Sequence, residues 1–181
     1  MFFSADLGYV QKLKEVGLVV SIPKPYAYGR IGLWTPKGKG IDVSKGIAVL
    51  ADPNVKKIAI ADPAHAPYGI AAVNALKSQK AYDSVKNRLV LGENVSQAAQ
   101  FVTSGAADIG ILPISLAYSE ILRKSGDFYL LPASWHNNIV QGYGVTKTGD
   151  KNPTTRKFEE FVGSKEGREI FKKYGFVLPN E

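Results

Sequence analysis

The stretch Ile58–Gly69, IAIADPAHAPYG, holds the fold in miniature. Ile58, Ala59, Ile60 and Ala61 read as a short buried strand, a pattern that a core helix fragment also fits. Asp62-Pro63 is a turn former through the Asx mechanism. Pro67 suits the first position of a helix, where its missing N–H costs nothing. Tyr68, Gly69 and Ile70 then follow with N–H groups that no carbonyl within the helix can reach. A strand that runs onto a helix N-terminus is a ready place for an anion. The pattern returns at Leu89–Leu91, with Gly92-Glu93-Asn94 next and a helix from Val95. The two helix starts read as part of the floor of a cradle.

Towards the N-terminus, Phe2-Phe3 reads as the tail of a strand and Ser4 as the N-cap of a helix over residues 5–16. Leu7, Val10, Leu13 and Val16 recur at helical spacing, and Gly17 is placed to end the helix. Residues 18–22 and 26–34 read as strands, the second rich in β-compatible aromatics. Beyond a Gly/Lys loop at residues 36–40, residues 40–50 are weakly patterned. A helix is expected from Pro67 to about Gln79, with Ile70, Val73, Ala75 and Leu76 on its covered face. Asn94 with Gln97 forms a capping-box-like pair for a helix over residues 95–103. ADIGIL at residues 107–112 reads as a buried strand, residues 115–125 as a helix, and residues 128–131 and 139–145 as strands. Two amphipathic helices close the chain, over residues 153–162 and 164–174.

Strands alternating with helices point to α/β layering with parallel strands. The chain of 181 residues is long enough to be one large domain or two lobes, and it buries roughly two-thirds of its unfolded surface. We expect two lobes joined by two crossing strands. Residues 1–34 and 140–181 form an incomplete lobe 1, and residues 35–139 form lobe 2.

The formal net charge of +7 favours anionic partners in general. The lysines are scattered in pairs such as Lys56-Lys57 and Lys172-Lys173, with no stripe of arginine interleaved with aromatics. Nucleic acid is therefore not the indicated partner. No apolar run nears the ~20 residues that span a bilayer, so membrane insertion is not expected. Cysteine is absent, which removes disulfides, thiolate nucleophiles and cysteine-ligated metals. His65 and His136, the two histidines, have no carboxylate at metal spacing and read as surface or capping residues. No G-x-S-x-G elbow, dinucleotide glycine loop or P-loop is present, and Glu159-Glu160 are consecutive on a helix and do not face each other. The reading is of a protein that is not an enzyme and has no cofactor. What remains is the pair of helix starts and the turn at Pro113–Ser115, all at the carboxyl ends of expected strands, where α/β sheets bind ligands.

Residues 61–76 (ADPAHAPYGIAAVNAL), 92–119 (GENVSQAAQFVTSGAADIGILPISLAYS) and 158–179 (FEEFVGSKEGREIFKKYGFVLP) resemble the molybdate-binding proteins of ABC importers. The Phe2–Leu13 junction resembles that family as well, so the likeness spans nearly the whole chain. It implies a type II periplasmic-binding-protein-like α/β fold with its first lobe truncated. The ligand it implies is molybdate or tungstate, held by hydroxyls and backbone N–H groups without lysine or arginine. Position by position, the resemblance assigns backbone N–H donors to Tyr68 and Val95, with Pro67, Gly69, Asn94 and Pro113 lining the site. Family members often place a tyrosine at the position of Pro113, which has no donor.

The family also begins with about 60 further residues, whose Ser/Thr loops supply the other half of the charge-assisted donors. Without them, weak or no molybdate binding and self-association through exposed apolar edges are expected. A thermal shift of several degrees with molybdate would overturn that expectation. The implied partner is the permease of an ABC importer, in a periplasmic or extracellular lipid-anchored setting. The rival readings are a binding protein for another oxyanion such as sulfate, and the effector-binding domain of a transcription regulator.

Overall fold

In the computed structural model, which describes residues 1–180, the chain starts in one unit, crosses to a second at Arg30, and returns at Ile139. In chain order the first unit begins with β1 (Phe2–Ser4), α1 (Leu7–Glu15) and β2 (Lys24–Gly29). The second unit holds β3 (Ile31–Pro36), β4 (Ile58–Ala61), α2 (Pro67–Ser78), α3 (Tyr82–Val85), β5 (Leu89–Gly92) and α4 (Val95–Thr103). It continues with β6 (Ile109–Pro113), α5 (Ile114–Ala117), α6 (Glu120–Ser125) and β7 (Gly126–Leu130). The first unit is completed by β8 (Ile139–Gly144), α7 (Lys147–Asp150), α8 (Pro153–Gly163) and α9 (Lys165–Lys173).

The expected division at residue 34 is corrected by strand pairing. Residues 30–34 belong to the second unit. The single strand expected over residues 26–34 is two strands in two sheets, broken at Arg30: β2 pairs with β8, whereas β3 pairs with β6 and β7. A strand's unit is set by its hydrogen-bonded neighbours, which its own residues do not reveal.

The first unit carries a three-stranded antiparallel sheet, ordered β1-β8-β2. Phe3, Tyr26, Tyr143, Phe158 and Phe171 form a run of ring contacts on it, with Phe3 and Tyr143 stacked at 5.2 Å. The Tyr26 hydroxyl donates to Gln141 Oε1 at 2.5 Å, and burial pushes the phenol's pKa up to about 12. Glu159 on α8 accepts from Lys24 and Arg156. These bonds hold its carboxyl below the usual carboxylate range, the Lys24 hydrogen bond contributing most. Asp6, not Ser4, caps α1, because its carboxylate accepts from Gly8 N while Ser4 Oγ accepts from Asp6 N. The strand expected over residues 18–22 is reduced to an isolated bridge between Val19 and Thr146, with Val20 N donating to Val145 O at 2.8 Å.

The second unit carries a five-stranded mixed sheet, ordered β5-β4-β6-β3-β7. β4 pairs in parallel with β5 and β6, while β3 runs antiparallel between β6 and β7 and β7 therefore runs the same way as β4, so the expected parallel pairing holds for the β5-β4-β6 side of the sheet alone. The chain moves from β4 to β5 on one side, then back over β4 to β6. By the right-handedness of such crossovers, α2 and α4 lie on opposite faces of the sheet. Ala98, Ala99 and Val102 of α4 pack with Ala59, Leu112 and Trp34. The other face takes an alanine-rich stripe of α2, namely Ala71, Ala72, Ala75 and Leu76. Ile70, expected on that stripe, is 45% exposed. Small residues win the buried face because the helix must approach the sheet closely. The helix expected over residues 115–125 is two short ones, broken where Ser119 caps α6.

Candidate functional site

The parallel pairing of β4 with β5 sets Ala61 opposite Gly92, so the two strands end side by side. From those ends rise the N-termini of α2 and α4. Pro67 is the first residue of α2, Tyr68 the second and Gly69 the third, and no side chain caps this helix. Gly69 N and Ile70 N both donate to Ala66 O, at 2.9 and 3.0 Å. On α4, Asn94 is the N-cap and accepts from Gln97 N at 3.0 Å. That leaves the N–H groups of Val95 and Ser96 without an intrahelical acceptor. Each helix start concentrates positive potential from its backbone dipoles, roughly half an elementary charge.

Two glycines seat the helices on the strand ends. A Cβ on Gly69 would lie 2.2 Å from Ala61 O, and one on Gly92 would lie 2.7 Å from Ala98 N. Both contacts are with backbone, so neither can be relieved by a rotamer change. The bare α-carbons let α2 and α4 come down onto β4 and β5, which is what brings Tyr68 and Val95 to the same end of adjacent strands.

The loops that lead into the helices are bonded to each other and to the helices. Asp62 N donates to Gly92 O at 2.7 Å, and Ala64 N to Asp62 Oδ1 at 2.8 Å. Glu93 N donates to Gln97 Oε1 at 2.6 Å. His65 Nε2 lies 2.9 Å from Glu93 O, a pairing that nothing in the local sequence of either loop signals.

Pro113 ends β6 and is the N-cap of α5. It is buried, and the next amide, Ile114 N, donates to Arg30 O at 2.9 Å. This turn therefore contributes shape rather than a main-chain donor at those two residues. Arg30 stands two strands from β4, about 10 Å by strand spacing. Its guanidinium donates to Leu131 O at 3.1 Å. His136, expected as a surface or capping residue, is buried, with Nδ1 2.8 Å from Asn137 O. Burial lowers its pKa, and the nearby Arg30 charge acts in the same direction. The structure thus brings Pro67, Tyr68, Gly69, Asn94 and Val95 to one end of two neighbouring strands, with Pro113 at the end of the next. Among the described residues, no group of three His, Cys, Asp or Glu side chains could hold a metal ion. No helix among them is long and apolar enough to cross a membrane.

Residues 1–177 match a family model described as bacterial extracellular solute-binding protein. The chain is 32% identical over 179 residues to the molybdate-binding protein ModA of Rhodobacter capsulatus, covering 98% of this chain and 68% of that protein. It is likewise 32% identical to the molybdate-binding protein ModA of Azotobacter vinelandii, over 98% of this chain and 70% of the relative. The solved periplasmic molybdate-binding protein of Azotobacter vinelandii superposes with a TM-score of 0.88 at 30% identity, covering 99% of this chain and 78% of that one.

Proposed function

This chain belongs to the bacterial extracellular solute-binding protein family, with a type II periplasmic-binding-protein-like fold, and on that premise we propose that it captures molybdate or tungstate for an ABC importer. The observation that carries the reading is the pair of helix N-termini, Pro67–Gly69 and Asn94–Ser96, rising from the ends of adjacent parallel strands. Tyr68 and Val95 are the backbone donors in this reading, and Pro67, Gly69, Asn94 and Pro113 shape the pocket around the anion. Relatives whose names state that they bind molybdate match nearly the whole chain, including both turns.

The chemistry fits an oxyanion. A tetrahedral dianion presents only acceptor oxygens, and main-chain N–H groups present only donors. Helix dipoles add attraction without a mobile charged side chain. Fixed amides also discriminate by size, because a pocket seated on strand ends adjusts little to a smaller anion. The protein then acts on the outer side of the cytoplasmic membrane and delivers its ligand to a permease.

Isothermal titration with molybdate, tungstate, sulfate and phosphate tests this. Molybdate and tungstate are expected to bind tighter than sulfate by about tenfold or more, a difference of about 1.4 kcal/mol. Sulfate or phosphate binding more tightly than either would refute the choice of ligand.

A further inference from the structure

We propose that His65 is a positioning residue of this oxyanion site, clasping the loop that enters α2 to the loop that enters α4. The role rests on the oxyanion reading above; the clasp itself rests on geometry. His65 lies two residues before Pro67, the first residue of α2, and Glu93 immediately precedes Asn94, the cap of α4. His65 Nε2 is 2.9 Å from Glu93 O. A carbonyl oxygen only accepts, so Nε2 carries the proton and donates.

Glu93 is consequently held from two directions. Its N–H donates to Gln97 Oε1 on α4 at 2.6 Å, and its carbonyl accepts from His65. On the other side, Asp62 holds the His65 loop through Ala64 N at 2.8 Å and Ala66 N at 2.9 Å. Because α2 and α4 pack on opposite faces of the sheet, they do not brace one another directly. Their lead-in loops are joined by the Asp62 N–Gly92 O bond and by His65. The imidazole therefore sets how far apart the Tyr68 and Val95 amides stand, without itself touching the ligand.

Two substitutions separate the donor from the ring. His65→Phe keeps a flat ring and removes the N–H, whereas His65→Gln keeps an amide donor of similar reach. The first readout is backbone amide hydrogen exchange of residues 93–97 in the ligand-free chain, and the second is molybdate titration. His65→Phe is expected to speed exchange at those residues, and to weaken molybdate binding, by about fivefold, as loss of one hydrogen bond would. His65→Gln is expected to stay within about twofold of the parent on both measures. Unchanged exchange in His65→Phe, or equal loosening in both variants, would overturn the clasp. If the parent chain binds no oxyanion while His65→Phe still loosens residues 93–97, the clasp stands and the ligand assignment falls.

Discussion

Replacing Gly69 by alanine tests whether α2 is seated on the end of β4 as closely as the site requires. The added carbon would lie 2.2 Å from Ala61 O, 2.8 Å from Ala61 C and 2.9 Å from Asp62 C, against a floor of 3.0 Å for such contacts. Since all three atoms are backbone, the start of the helix must retreat by about 0.8 Å, as 3.0 Å less 2.2 Å requires. In an ordinary helix interior the same substitution stabilises by about 0.5–1 kcal/mol. Overpacking against atoms that cannot move costs about 1–3 kcal/mol. The middles of those ranges leave a net loss of about 1.2 kcal/mol. At about 2–4 °C per kcal/mol for a chain of this size, the melting transition falls by roughly 2–5 °C.

Gly163→Ala is the control. It ends α8 with nothing within 4 Å of the added carbon, and it should raise stability by about 0.4–1 kcal/mol. Differential scanning calorimetry of the two variants beside the parent reads both effects. Titration of Gly69→Ala should also show weakened molybdate binding, because the retreat exceeds the ~0.5 Å tolerance of a built site. A Gly69→Ala chain that melts at or above the parent temperature would refute the close seating of α2, and with it the geometry assigned to Tyr68.

Three further outcomes follow from the same structure. Asn94→Ala removes the side-chain acceptor for Gln97 N; it should cost about 1 kcal/mol in urea unfolding, and an unchanged midpoint would count against the cap. His136 has a folded pKa below its ordinary 6.5, so the unfolded chain binds the extra proton first and stability falls as pH drops below that value. His136→Gln should flatten that acid limb, and an identical pH slope in variant and parent would refute the assignment. Tyr26 has its pKa raised from 10.0 to about 12, so the stability its neutral form contributes is complete below pH 10 and lost as pH rises towards 12. Tyr26→Phe should lose that alkaline dependence, which unfolding measured at pH 9, 10 and 11 would show.

Local patterning was enough for much of the second unit. Pro67 marked the start of α2, Asn94 with Gln97 marked α4, and residues 107–112 read as a buried strand, because caps, proline and apolar runs act within a few residues. The same local signals placed Tyr68, Gly69, Asn94 and Val95 at helix starts. Local signals also misled where two elements competed for one stretch. Arg30 interrupts what reads as a single strand, and Ser119 divides what reads as a single helix.

What only tertiary structure decided is which ends meet. The parallel pairing that sets Ala61 beside Gly92 joins residues 31 apart in the chain. Until it forms, His65 has no Glu93 carbonyl to bond, and until α2 packs onto β4 Gly69 has no Ala61 carbonyl to avoid. By itself the sequence determined where these helices begin. Long-range strand pairing decided that two such beginnings stand side by side, because hydrogen bonds between strands depend on neighbours that no local window contains.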